Sequence, residues 1–515
     1  MKKTLFIKNT LVLTVTSLIL RTIGIVFRIY LSGTIGPEGM GLYQLVVSVY
    51  VLASTFAVSG ITVAVTRLVA DELVRGTARS VRHVLRRSLL IGALGGIGSA
   101  LLFFFGAEAI GSYAIGDVRA VSALKMMAFS LPSMGISACL KGYFSARRKV
   151  GYPAVAQLIE QVVRIALIFC LFRHFSAESL EKACVIVMIG DTVAEWASCL
   201  FVIACYLRDR GTLKRENPLS SAIPARTSVT RQLLTIAAPI TAGRYLNSGL
   251  RTIETALVPA RIARFCGSRE TALAQFGALK GMALPLLFFP ASFLSAMSSL
   301  LIPELSAAAV QGDRGGIRRM VDKSLRVTAT ASLLIAAIFT VFAEEIGLWL
   351  YNSRDVGVYL RVLAPLTPVM YADSIADGML KGLNQQLRSL TYSVTDSAVR
   401  IVLIWLIVSR QGMGGFLFIM VISNLLTSYL NLHRLMTVTD LKPRWSALIV
   451  KPLMAVAGAS AAAILATTLL KTSSLSPVVS VIIGATILCV VYGLLLHLLG
   501  CAIPLDIPLK KGYDR

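Results

Sequence analysis

The sequence predicts an all-α integral membrane protein with 14 transmembrane helices, and three observations predict it. Of 515 residues, 56% are hydrophobic and only 15% are charged, where soluble domains carry roughly 25% charged residues. Apolar runs of about 20 residues, the length that crosses a bilayer, recur from end to end. Alternating strand patterns are absent, and lipid satisfies no backbone polar groups, so the runs are read as helices.

Taken in order, the spans fall near 9–31, 41–66, 88–111, 120–143, 153–172, 183–206, 232–259, 273–302, 327–350, 358–380, 391–409, 413–433, 449–470 and 477–500. The start, Met1-Lys2-Lys3 and an apolar run, mimics a signal peptide. Lys8 and Arg21 interrupt the run and no Ala-x-Ala site follows, so an uncleaved first helix is expected. The net charge of +25 does not imply nucleic acid as a partner, because the basic residues cluster in short loops. One alternate set of loops holds roughly 33 of the 51 Lys and Arg, the other roughly 10, and roughly 8 lie inside spans. The positive-inside rule then makes the richer set cytoplasmic and both termini cytoplasmic. In the third span, Gly92-Ala93-Leu94-Gly95-Gly96 points to close helix packing. In the eighth, Pro285, Pro290 and Pro303 point to a kinked helix.

The chain repeats itself. Phe129-Ser130-Leu131-Pro132 aligns with Pro365-Leu366-Thr367-Pro368, and Leu140-Lys141-Gly142 with Leu380-Lys381-Gly382. Val163-Arg164-Ile165-Ala166 aligns with Val399-Arg400-Ile401-Val402. An offset of about 230 to 240 residues that encloses six spans describes two parallel repeats, with a substrate site expected between them. The expected organisation is an N-lobe over 1–207, a cytoplasmic linker over 208–231, a C-lobe over 232–436, and two extra helices with a cytoplasmic tail over 437–515.

Functional candidates are the charges that a membrane helix should not carry. Leu20-Arg21-Thr22-Ile23 returns as Leu250-Arg251-Thr252-Ile253, and each arginine has a second one seven positions away, Arg28 and Arg244. Seven residues is close to two helical turns, so each pair shares a face. Arg21 lies about 18 Å from the cytoplasmic end of its span, where an arginine costs roughly 2.5–3.5 kcal/mol even on the lenient insertion scale. Thr10, Thr14, Ser17, Arg21, Gly24 and Arg28 form one polar stripe. Arg244, Asn247, Arg251 and Glu254 form another, and Thr55, Ser59, Thr62 and Thr66 a third. The stripes predict an electropositive cavity lined by Ser17, Arg21, Arg28, Ser59, Arg244, Asn247, Arg251 and Glu254. Guanidinium forks there would hold phosphate or carboxylate bidentately. Whether Glu254 neutralises Arg251 is left open by the spacing.

Glu160 with Arg164, and Asp396 with Arg400, are four apart at equivalent positions of the repeat and read as structural ion pairs. Asp191 with Glu195, and Asp373 with Asp377, are carboxylates four apart. They are candidates for coupling transport to a monovalent cation or to the membrane potential. The eight cysteines and four histidines form no metal-ligand spacing, and no nucleotide-binding or metalloprotease motif occurs. No catalytic set, metal or other cofactor is expected, and the chain is not expected to be an enzyme.

The chain resembles the multidrug/oligosaccharidyl-lipid/polysaccharide exporter superfamily, and within it the stage V sporulation protein B and polysaccharide biosynthesis flippases, which include lipid II flippases. The resemblance is carried by Arg21-Thr22-Ile23-Gly24, Ile35-Gly36-Pro37-Glu38-Gly39-Met40-Gly41-Leu42-Tyr43, Ser59-Gly60 and Arg67-Leu68-Val69-Ala70. Val258-Pro259-Ala260-Arg261-Ile262 and Gly281-Met282-Ala283-Leu284-Pro285 carry it further. It implies two six-helix lobes in a V that alternate between inward-open and outward-open states in a bacterial cell membrane. It also implies an undecaprenyl-linked saccharide or peptidoglycan precursor as substrate, for spore cortex or cell-wall synthesis, with Arg21 matching a substrate arginine of the lipid II flippases. Cell-wall synthesis enzymes and membrane lipids are the partners it suggests. Two other functions remain open at this stage: a cation-coupled multidrug exporter, and a membrane scaffold for cell-wall enzymes that transports nothing.

Overall fold

The computed structural model describes residues 2–58, 60–74, 78–175, 179–216, 229–470 and 477–501. Every element among them is helical. Two compact units divide the chain: Met1–Gly281 with Ser397–Phe416, and Met282–Asp396 with Leu417–Arg515.

The first unit begins with α1 (Lys2–Val58), which carries the first predicted span and part of the second on one element broken at Gly36 (φ 70°, ψ 177°). Glycine reaches that conformation without a Cβ penalty, and Pro37 restarts the helix with a fixed φ and no N–H to satisfy. After Gly60 (φ 76°) come α2 (Ile61–Val74) and α3 (Ala78–Ala109), the latter prolonged by a π-helical turn over Ile110–Ile115. Helices α4 (Ala120–Ala128) and α5 (Leu131–Ala146) meet at 42°, where Pro132 opens α5. Next are α6 (Gly151–His174), α7 (Leu180–Glu216), α8 (Val229–Cys266) and α9 (Arg269–Gly277). The Ser268 side chain caps α9 by accepting from the Thr271 amide.

Small residues let these helices touch. A Cβ added at Gly92 would lie 2.7 Å from the Gly135 carbonyl oxygen, and one at Gly96 2.7 Å from that of Leu131, so the glycine cluster of the third span does serve close packing. Likewise Gly277 and Gly41 leave no room for a Cβ between α9 and the post-kink part of α1. Two polar clusters tie the helix ends. Asp209 accepts from Tyr143 Oη (2.8 Å) and Lys149 Nζ (2.7 Å), and also pairs with Arg147. At the α3–α4 turn, Arg119 grips Asp117 with Nε and Nη2 (3.0 and 2.9 Å) and Glu38 with Nη1 (2.8 Å). Arg269, from the start of α9, donates to the Ile115 carbonyl at 2.5 Å.

The second unit contains α10 (Leu284–Gln311), α11 (Arg314–Val341), α12 (Ala343–Tyr351), α13 (Arg354–Leu363), α14 (Thr367–Gly382) and most of α15 (Gln386–Leu403). Most of α16 (Ser409–Thr439), with α17 (Lys451–Leu470) and α18 (Pro477–Leu498), completes it. Helix α10 runs unbroken through Pro290 and Pro303. The backbone breaks lie elsewhere, at Gly36 and at Gly412 (φ 56°, ψ −138°), positions the sequence reading did not single out as breaks. Tyr492 donates to the Thr330 carbonyl at 3.0 Å and fastens α18 to α11.

Among the described residues, nine helical stretches are long and apolar enough to cross a membrane, ten if α4 and α5 form one span. Two of the nine, Thr14–Val74 and Gln386–Thr439, each hold two predicted spans. The charged stripe of α8, and α14 with its 16 residues, fall on the seventh and tenth predicted spans and are not among the nine.

Candidate functional site

The first unit contains most of the charges singled out in the sequence. On α1, Arg21 is exposed and Arg28 half-buried. Ser17 Oγ donates to the Thr14 carbonyl of its own helix at 2.8 Å, the usual way a helical serine is satisfied. Ser59 lies outside the described residues. On α8, Arg244 and Arg251 are exposed while Asn247 is half-buried. Among the described residues the Arg21 and Arg244 side chains form no hydrogen bond or ion pair. Helix α8 is fixed against the post-kink part of α1 by Thr252 Oγ1, which donates to the Ser48 carbonyl at 2.9 Å. The Phe56 and Tyr245 rings also meet edge to face, 6.4 Å apart.

The spacing left open whether Glu254 neutralises Arg251. In the structure Arg251 Nε donates instead to Asn247 Oδ1 at 3.2 Å. Glu254 is 4% exposed and turns to other cations. Its Oε1 accepts from Arg400 Nη1 at 3.1 Å, and Lys280 Nζ stands 3.9 Å from the same oxygen. Both cations belong to elements with widened turns. Lys280 sits in the π-helical segment Ala278–Ala283, and Arg400 lies one turn before the π-helical Ile404–Val408. Such turns recur at functional sites. Arg251 is therefore left without a carboxylate partner among the described residues.

The carboxylates of α6 and α7 are differently placed. Arg164 Nη2 holds Glu160 Oε1 at 2.9 Å on its own helix, as the four-residue spacing predicts. It also reaches Asp191 Oδ1 on α7 at 2.5 Å with Nε and donates to Gln161 Oε1 at 2.8 Å with Nη1. Arg164 is thus shared between Glu160 on its own helix and Asp191 on α7. The Tyr43 hydroxyl lies within electrostatic reach of Asp191, Arg28 and Arg164.

In the second unit, Asp373 Oδ1 accepts from Asn431 Nδ2 at 2.8 Å, and Asp377 pairs with Lys381 Nζ at 2.5 Å and also accepts from Ser389. Asp396 is buried and accepts from Ser423 Oγ. Among the described residues no group of three or more His, Cys, Asp or Glu side chains is placed to hold a metal ion. Lys280, Gln161 and Asn431 were not put forward by sequence reasoning. Lys280 alone had a visible signal, a cation inside an apolar run.

Comparison with known proteins follows the same lines. The model of the polysaccharide biosynthesis protein family matches residues 6–309. Stage V sporulation protein B of Bacillus subtilis (strain 168) is 27% identical over 414 residues, covering 80% of each chain. Lipid II flippase MurJ of the same organism is 20% identical over 440 residues, covering 80% of this chain and 79% of that one. Among solved structures, lipid II flippase MurJ in an inward closed conformation superposes with a TM-score of 0.69 at 13% identity, covering 94% of this chain and 98% of that one. An inward-facing multidrug resistance MATE family transporter of the MOP superfamily gives 0.66 at 14%, covering 83% and 99%. At such identities these two structures speak for the fold alone.

Proposed function

Because this chain belongs to the polysaccharide biosynthesis protein family, we propose that this multi-pass membrane protein is a flippase for an undecaprenyl-pyrophosphate-linked saccharide. It moves the headgroup from the inner to the outer face of a bacterial cell membrane by alternating access, in the service of cell-wall or spore-cortex synthesis. The proposal includes 14 spans, counting two each in Thr14–Val74 and Gln386–Thr439 and one in the bent pair α4–α5, with α8 and α14 carrying one each. Six spans form each lobe, 1–207 and 232–436, joined by the linker 208–231. The last two spans and the tail, 437–515, are an addition, and both termini are cytoplasmic.

The observation that carries the proposal is a surplus of cations on apolar helices. Glu160, Asp191 and Glu254 are each matched by a base. Arg21, Arg244 and Arg251 have no acid among the described residues. A multiply charged anion answers that imbalance, and a pyrophosphate offers oxygens for several guanidinium forks at once. Arg21, Arg28, Arg244 and Arg251 bind it, Asn247 orients Arg251, Glu254 holds the cations around it, and Ser17 and Ser59 border the site. No cofactor takes part. Rocking of the lobes is coupled to a monovalent cation or to the membrane potential, with Asp191, Glu195, Asp373 and Asp377 as the acids that sense it.

The test is flipping of a fluorescent undecaprenyl-pyrophosphate saccharide by the full-length protein in liposomes. Wild type should expose the label to the outer face, and Arg21→Ala and Arg251→Ala should abolish exposure while reconstituting normally. Full activity in both variants would remove the site. Ethidium efflux with no lipid flipping would move the chain to the drug exporters.

A further inference from the structure

We infer that Lys280 is a further anion-binding residue of this site, contributing its ammonium to the phosphate of the translocated headgroup. The inference rests on the flippase reading and extends it to a residue that neither the repeat nor the polar stripes indicate.

An ammonium has three N–H donors and no acceptor, so within a helical bundle it needs oxygens around it. Among the described residues, Lys280 donates no hydrogen bond. Its one ionic neighbour is Glu254, at 3.9 Å, beyond hydrogen-bond length. The same Glu254 oxygen already accepts from Arg400 at 3.1 Å, so that oxygen is engaged by the closer cation and Lys280 stands behind it. Below the ammonium lies the face of Phe416, with its centroid 5.8 Å away. A ring face stabilises a cation modestly and supplies no acceptor.

The lysine cannot simply swing away to water at its backbone. The segment that carries it is clamped to α1: an added Cβ at Gly281 would lie 2.9 Å from the Met40 side chain, and one at Gly277 would strike the Pro37 carbonyl. The side chain is nevertheless 25% exposed, so its tip is open on one side. Arg251 lies three residues before Glu254 on α8, within one helical turn. Two cations therefore adjoin a single acid that a third cation already occupies. An arriving phosphate would find in Lys280 an unfilled donor set. A purely structural lysine would instead be hydrogen-bonded to Glu254.

The experiment uses full-length protein in detergent and farnesyl pyrophosphate as a short-chain probe. Lys280 acylation by a water-soluble amine-reactive ester is followed by peptide mass spectrometry with and without the probe, and affinity is measured by calorimetry. Wild type should bind, and the probe should slow acylation of Lys280. Lys280→Met should weaken binding on the order of tenfold or more, the loss of one charge-assisted contact, and Lys280→Arg should restore most of it. If wild type binds while Lys280 is acylated at an unchanged rate, the lysine is no ligand and the flippase reading stands. If wild type binds no pyrophosphate, the flippase reading falls and this inference with it. The protection measurement needs no variant to fold.

Discussion

Substituting Glu254 by Gln should destabilise the protein more than any other single change in the α8 stripe. The carboxylate is 4% exposed and meets Arg400 at 3.1 Å and Lys280 at 3.9 Å. Glutamine keeps the shape and one acceptor but removes the charge, leaving two interior cations facing each other. Breaking a buried pair on one side costs about 3–5 kcal/mol, mostly because the survivor is uncompensated. Lys280 is partly open and can be hydrated, so the lower end, about 3 kcal/mol, applies. In detergent, melting followed by size-exclusion fluorescence should fall by about 3 °C for Glu254→Gln. Removing both ends should cost less than the sum, so Glu254→Gln with Arg400→Met should show a coupling energy of about 1 kcal/mol or more. A Glu254→Gln melting point within about 1 °C of wild type, or strict additivity in the cycle, would refute the reasoning.

Three further outcomes are expected. Arg21→Ala and Arg251→Ala should melt close to wild type, shifted by no more than about 0.5 kcal/mol, because both are exposed and lack an acid partner; a large drop would mean that they are structural. Gly277→Val should cost about 1–3 kcal/mol, since its Cβ would meet the Pro37 carbonyl and the Gly41 backbone, and wild-type melting would contradict the packing. Burial raises the Asp117 carboxyl, but the hydrogen bonds and charge of Arg119, with the charge of Arg269, outweigh burial and hold it below the usual aspartate value. Its stabilising effect is then complete above about pH 4 and lost as pH falls through the lower folded value. Amide protection over 110–119 should weaken only below about pH 4, and Asp117→Asn should abolish that dependence; an unchanged profile in the variant would refute the assignment.

Composition alone made the helical, membrane-embedded class legible, because long apolar runs in lipid admit few alternatives. What stayed hidden depends on which helices touch. Pro290 and Pro303 lie inside α10, which continues as one helix past both, as a membrane bundle allows where neighbouring groups re-satisfy a lost hydrogen bond. The break falls at Gly36, where a φ of 70° suits glycine and Pro37 follows. Glu160 and Arg164 were legible as a pair since both lie on one helix face. Asp191 joining them from α7, and Lys280 beside Glu254, could not be read from spacing on any single helix.

The repeat explains why Arg164 and Arg400, aligned in sequence, find different acids. With the Leu-Arg-Thr-Ile elements superposed, Glu254 of α8 corresponds to Gly24 of α1, so the part of α1 before the break at Gly36 has no acid to offer. Arg164 takes Asp191 from α7 instead, at 2.5 Å. With the two arginines superposed, the counterpart of Asp191 is Thr427, which has no charge to give. Each arginine thus gains one acid from outside its own helix, but from opposite neighbours. The consequence falls on the arginine stripes. Arg251 shares its helix with an acid that is committed elsewhere, and Arg21 shares its helix span with none. Both stripes keep their positive charge by different routes, since the one carboxylate in the Arg251 stripe, Glu254, is engaged by Arg400 and Lys280.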